Sequence, residues 1–163
     1  MSGSAMSPDP ASFRTVMGHF ATGVCAICAV DDEGPVGMAA NSFTSVSLDP
    51  PLVLFCASID SAAWNRIKQV GTFAVSILGE SQEDVSRVFA QAGVDRFSRV
   101  GWTPAPRTGS PVLRDATAYL DCEIEALHPG GDHTIVVGRV VEVGVQNNDA
   151  PLIFYRGGYT RLA

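Results

Sequence analysis

The feature that most constrains this chain is a pair of alternating segments joined by one glycine-rich turn. Between Ala116 and Leu127, Tyr119, Asp121, Glu123 and Glu125 share one parity, and Leu120, Cys122, Ile124 and Ala126 share the other. That two-residue period is the mark of a half-buried antiparallel strand. HPGGDH at 128–133 supplies the turn, and TIVVGRVVEVGV returns as a second long strand. Two long strands joined so tightly must pair antiparallel. Gly138, inside the return strand, marks a bulge or a close backbone approach.

The rest of the chain fits around such a sheet. VCAICAV (24–30) is a strand, DDEGP after it closes a hairpin, and a return strand begins at Val36. LVLFCASI (52–59) is a near-continuous apolar run, expected to be buried on both faces, and Phe73–Leu78 gives a further strand. The tail PLIFYRGGYTRL holds one more short strand, then Gly157-Gly158 and an exposed Tyr159. Phe13, Val16, Met17 and Phe20 have helical spacing from Ser12 to near Gly23. Asp60-Ser61 opens a second helix that Gly71 closes, and Ser81 with Asp84 resembles a capping box for a third. TPAPRTGSP (103–111) is expected to be a functional loop or lid. With about seven strands, two or three short helices and few helical crossovers, the fold class is mainly β, an antiparallel closed sheet rather than a doubly wound one. Residues 1–163 form one domain, with a disordered N-terminus over 1–11.

Charge and cysteine content exclude several function classes. The net charge is −6 and the cations are scattered singly, so no basic stripe awaits nucleic acid. No apolar run approaches the ~20 residues of a membrane span, and the N-terminus lacks a leader pattern, so a cytoplasmic location is expected. Apolar residues make up 46% and charged residues 17%, which leaves surface for a second subunit to cover. Cys25 and Cys28 form a C-x-x-C, but on a strand their side chains point to opposite faces. They, with Cys56 and Cys122, are read as buried free thiols.

The stretch GMAANSFTSVSLDPP (37–51) is the candidate binding segment. Ala39 and Ala40 leave the backbone accessible, and Asn41, Ser42, Thr44, Ser45 and Ser47 bring polar groups with no charge before Asp49. Such a segment suits a polar, anionic, partly aromatic ligand. It equally suits a plain polar edge strand ending in a Pro-Pro turn. Sequence signatures of a dinucleotide-binding loop, a phosphate-binding loop, a nucleophile elbow or a histidine metal site are missing, so no metal is expected. Chemistry would come from a bound organic cofactor.

GMAANSFTSVSLDPPLVLFC, GSPVL before AYLDCEIEA, GGDHTIVVGRVVEV and PLIFYRGGY, in this order, resemble the flavin reductase-like family. The likeness runs from about Phe13 to Tyr159. It implies a split β-barrel homodimer that binds FMN or FAD, takes hydride from NADH or NADPH, and passes reduced flavin to a separate flavin-dependent monooxygenase. An alternative is a protein holding FMN firmly for electron transfer, or a flavin-mediated reductase of a non-flavin acceptor. The resemblance lays the flavin along Ala39, Ala40, Asn41, Ser42, Phe43, Thr44, Ser45 and Ser47. It puts the flavin phosphate at Cys56, Ala57, Ser58, Ser61 and Asn65, and implies that His133 meets the nicotinamide. Arg156 and Tyr159 are candidate contacts to nucleotide or flavin, or plain structural residues, just as His133 could merely order its own turn. Asp60 without a nearby cation implies modest flavin affinity, and no arginine-rich 2′-phosphate pocket is visible, which favours NADH.

Overall fold

The residues that start and stop elements in the sequence largely do so in the computed structural model, which describes residues 6–163. In chain order the elements are α1 (Pro10–Gly18), β1 (Thr22–Gly23), β2 (Cys25–Asp31), β3 (Gly34–Ala40), β4 (Thr44–Ser47), β5 (Leu52–Ser58), α2 (Ala62–Val70) and β6 (Thr72–Ile77). A 3-10 turn (Glu80–Gln82) leads into α3 (Glu83–Ala90), followed by β7 (Trp102–Pro104), β8 (Pro111–Leu113), β9 (Ala118–Gly130), β10 (His133–Val145), β11 (Ile153–Tyr155) and β12 (Gly158–Thr160). Ser61 caps α2 by accepting the Trp64 N–H at 3.1 Å. Gly71 ends it at φ 86°, where a side chain would be strained.

Seven strands form one antiparallel sheet in the order β3-β2-β6-β9-β10-β5-β4. The long hairpin is its spine, paired from Gly130–His133 to Ala118–Val145. At Gly138 the register shifts, and a Cβ there would stand 2.7 Å from Cζ of Phe73. The glycine lets the bulge close over that ring. Ile27 of β2, Val36 of β3, Phe55 of β5, Phe73 of β6 and Val136 of β10 share one core with Trp64 and Ile67 of α2. Strands from opposite ends of the ladder thus meet, so the sheet is curled around its own apolar face. Phe55 contacts Trp64 and Phe73 edge-on at 5.9 and 5.3 Å, a favoured aromatic geometry.

The fold is mainly β, as the alternation requires, but the ladder does not close. Its end strands, β3 and β4, are not paired with each other. Ser42, in the connection between them, ties this split to β5 by accepting the Cys56 N–H at 2.9 Å.

Several expectations need correction. The strand buried on both faces is β2 rather than β5: Val53, Phe55 and Ala57 are buried, whereas Leu52, Leu54, Cys56 and Ser58 are half-buried beside the short edge strand β4. Cys25 joins the barrel core while Cys28 packs on the other side with Phe89 and Leu113. All four thiols are unpaired. Burial pushes Cys25 and Cys122 up to about 12, and Cys28 upward as well, so these are thiols rather than reactive thiolates.

Of the segment 1–11 expected to be disordered, residues 1–5 lie outside the described residues and α1 already begins at Pro10, capped by Asp9. It ends at Gly18 rather than near Gly23, because Thr22 and Gly23 pair with β11. Ser81 makes no capping box; it donates to Asp149 at 3.0 Å, and the Gln82 side chain accepts the Gly79 N–H instead. The Pro-rich loop is no free lid. It is the turn between β7 and β8, pinned by buried Asp121, whose carboxylate accepts from Arg107 N, Thr108 N and Thr108 Oγ1. That task buries Asp121, although it shares its parity with Glu123 and Glu125. The tail forms two strands, not one.

The β2–β3 turn is fastened to α2 by Arg66, which donates to Asp31 at 2.8 and 2.6 Å and to the Gly34 carbonyl at 3.1 Å. The guanidinium holds the Asp31 carboxyl down at about 2, below its usual 3.8. A group lowered on folding stabilises above its unfolded value and loses that contribution as pH falls through the folded one. The melting temperature of wild type is therefore expected to fall between about pH 4 and pH 2. Asp31→Asn should lose less over the same window, and identical acid profiles would remove this ion pair from the stability of the turn.

Candidate functional site

The split in the barrel opens a cleft of about 370 Å³. The end of β3 contributes Met38, Ala39 and Ala40, the connection after it Asn41 and Ser42, and the end of β5 Cys56 and Ser58. Ser61 stands at the start of α2, and Phe89 and Ala90 close one side from α3. His133 reaches the cleft because it opens β10 opposite Ser58. Its Nδ1 lies 2.7 Å from Oδ1 of Asp132, a contact that holds the Asp132 carboxyl below its usual range. With Nδ1 engaged, Nε2 is the ring nitrogen left to meet a ligand.

The hydroxyls here are partly committed. Ser42 Oγ bonds Cys56 and Ser61 Oγ caps α2. They brace the walls, and so their substitution affects structure as well as binding.

Other sequence candidates stand apart from this cleft. Phe43 and Thr44 line a larger groove of about 890 Å³ beside Phe13, Met17 and Phe20, and Asn41 and Ser42 border both. Ser45 and Ser47 lie on β4, whose outer edge carries no further strand. The Ala57 side chain is in the barrel core, and Asn65 is exposed on α2. Arg156, at φ 52° in the β11–β12 turn, donates its N–H to Gly18 and anchors the end of α1. Tyr159 is half-buried rather than exposed. Its hydroxyl lies 2.7 Å from Ser86 Oγ, Arg87 stacks 4.8 Å over its ring, and it borders a side cleft of about 180 Å³ that shares Ala39, Ala40, Asn41 and Ala90 with the first.

Arg96 is the polar residue of the cleft that sequence reasoning missed. It is carried in by bonds from Nη1 to the Gly37 carbonyl at 2.5 Å and from Nε and Nη2 to the Gln91 carbonyl at 3.0 and 2.6 Å. In the sequence it is one arginine in an irregular stretch, with no period to point it inward. Arg66, by contrast, is spent on Asp31. The cleft thus combines an alanine-lined floor, hydroxyl and amide groups, a histidine and one cation. That donor set fits a flat ring with a polar edge and an anionic tail.

Comparison with known proteins agrees with this chemistry. Residues 17–163 match the model of the flavin reductase like domain. The reductase subunit HsaB of a flavin-dependent monooxygenase from Rhodococcus jostii is 44% identical over 94% of this chain and 78% of its own length. An NADH-dependent FAD reductase from Streptomyces globisporus is 42% identical over 95% of this chain and 87% of its own. The solved structure of the Streptomyces globisporus NADH:FAD oxidoreductase SgcE6 superposes with a TM-score of 0.90, at 41% identity, covering 98% of each chain. With the split sheet, the cleft and these likenesses in agreement, the chain belongs to the flavin reductase-like domain family.

Proposed function

We propose that this protein is an NAD(P)H-dependent flavin reductase that transfers hydride to FMN or FAD and supplies reduced flavin to a separate monooxygenase. The observation that carries this is the convergence of Ala39, Ala40, Asn41 and Ser42 with His133 in one cleft, in a chain whose relatives are reductase components. When bound, a flavin supplies the hydride acceptor for a reduced nicotinamide. The residues' part is to bind and orient. Ala39 and Ala40 keep the floor low, and Asn41 and Ser42 bring polar groups to a ring edge. The test is steady-state oxidation of NADH and NADPH with FMN, FAD and riboflavin offered separately. Flavin-dependent oxidation, with NADH preferred, is expected; no oxidation with any pair would overturn the proposal.

His133 is proposed to hold the nicotinamide carboxamide through Nε2, with Asp132 fixing the ring. Hydride transfer removes no proton from the donor, so no general base is required. His133→Ala is then expected to lower kcat/KM for NADH by about 2- to 12-fold, the worth of one neutral hydrogen bond, with flavin affinity and melting temperature unchanged. Unaltered kinetics with a lower melting temperature would make it a turn residue.

A second copy of the chain belongs to this proposal. Phe13, Met17 and Phe20, 52–72% exposed, line the groove that Phe43 and Phe154 share, and Val16 of the same helix is exposed as well. Thr22 Oγ1, on the same groove, is the one buried side-chain polar atom without a partner among the described residues. A two-fold contact would cover such a face. Sedimentation at twice 17.2 kDa is expected; a fully active monomer would refute the dimer.

A further inference from the structure

A second cavity, of about 250 Å³, adjoins the main cleft between β3, the start of α2 and the segment after α3. Arg96 borders both, and the other walls run on from those of the cleft: Gly37 precedes Met38, and Ala62 follows Ser61. Its lining is of a different kind. Val94 is 43% exposed and, among the described residues, packs in no buried cluster. With half-buried Pro35 and Phe97 it makes an apolar wall. Asp95 spends Oδ1 on the Phe97 N–H at 3.2 Å. Among the described residues its Oδ2 accepts no hydrogen bond, and no cation lies within ion-pair distance of it. Arg66 adds a guanidinium already neutralised by Asp31, whose plane can face a flat ring without calling for an anion. A bare carboxylate repels phosphate but accepts from the paired hydroxyls of a ribose, the part an acidic residue plays in dinucleotide-binding folds. An apolar wall beside it suits a base.

We infer that this cavity is an adenosine subsite, which takes the far end of a dinucleotide whose reacting ring lies in the main cleft. Asp95 holds the ribose hydroxyls, and Val94 and Pro35 flank the base. This rests on the flavin reductase function proposed above. FAD and NADH both carry adenosine beyond a diphosphate, whereas FMN ends at its phosphate, so the two sources separate experimentally. The carboxylate sets a second preference, because the 2′-phosphate of NADPH would meet Asp95 where the hydroxyl of NADH is welcome.

The test is equilibrium binding, read by flavin fluorescence and calorimetry on the full chain. Wild type, Ala62→Phe and Asp95→Asn are each titrated with FMN and FAD, and with nicotinamide mononucleotide and NAD⁺. Ala62 is exposed in the first turn of α2, so a larger side chain there fills the cavity and leaves the core alone. Asp95→Asn keeps an oxygen for the Phe97 N–H and removes the charge. Wild type is expected to bind the dinucleotide of one pair about 10-fold more tightly than its mononucleotide. Ala62→Phe should abolish that preference, and Asp95→Asn should reduce it by about 3- to 10-fold, the worth of a weakened hydrogen bond to a charged group. The mononucleotide should bind all three proteins alike. A loss confined to FAD assigns the adenosine of the flavin, and a loss confined to NAD⁺ assigns that of the nicotinamide nucleotide. No preference within either pair in wild type, a preference that survives both substitutions, or equal weakening of mononucleotide and dinucleotide overturns the inference. If wild type bound neither flavin nor nucleotide, the functional proposal and the subsite would fall together. Reduction of FMN and FAD with no preference for adenosine would leave the function standing and remove only the subsite.

Discussion

Ala39→Leu is expected to weaken flavin binding by about 10- to 100-fold, with the melting temperature within a few degrees of wild type. Ala39 is half-buried and borders both the main cleft and the side cleft. The added carbons would enter space meant for a ligand, so the overpacking is felt when the ligand arrives. Ser42→Leu is a poorer probe, although the sequence alone recommends it. It would strand the Cys56 N–H that Ser42 accepts at 2.9 Å, at a cost of about 1–3 kcal/mol to the fold itself. Titration of flavin fluorescence and thermal melting of Ala39→Leu decide the matter. Normal affinity would move the flavin away from β3, and a collapsed melting transition would make Ala39 a packing residue.

Gly37→Ala is expected to damage fold and site together. A Cβ at Gly37 would stand 2.8 Å from both Cys28 Sγ and Cε2 of Phe89. Both neighbours belong to the buried cluster between β2 and α3, where neither has room to withdraw. Overpacking of this kind costs about 1–3 kcal/mol, or roughly 2–12 °C of melting temperature in a domain of this size. Phe89 also walls the cleft, and the Gly37 carbonyl holds Arg96, so ligand affinity should fall with stability. Adding Phe89→Leu should recover part of the stability, a non-additivity expected of residues in contact. A single variant as stable as wild type would show that α3 yields freely and does not set the wall.

Local rules made much of this architecture legible. Ser61 and Gly71 bound α2 because capping and left-handed closure are decided within a few residues. Gly138 was readable because an alternating strand advertises its interruption. What escaped depends on contacts between segments distant in sequence. Asp121 shares its parity with Glu123 and Glu125, and the pattern does not show that a loop more than ten residues earlier turns its amides onto that carboxylate. The apolar spacing of α1 was legible, but spacing cannot say that the face remains uncovered within one chain. Nor could the closed sheet be told from a split one, since closure rests on whether β3 and β4 pair across the connection that Ser42 ties to β5. In the candidate site, the Ala39–Ser42 run was singled out by its small and polar residues and His133 by resemblance. Arg96 was not, because its position follows from the Gly37 and Gln91 carbonyls rather than from any pattern in its own segment.

The most direct test of the proposed activity is to mix NADH, under anaerobic conditions, with a small amount of the protein and a large excess of free FMN or FAD, and to follow the loss of the oxidised flavin's yellow colour. A reductase that releases its product should bleach the whole flavin pool, many flavins for each protein chain, at a rate proportional to protein concentration. Bleaching that stops at one flavin per chain, or that proceeds no faster than without protein, would contradict it.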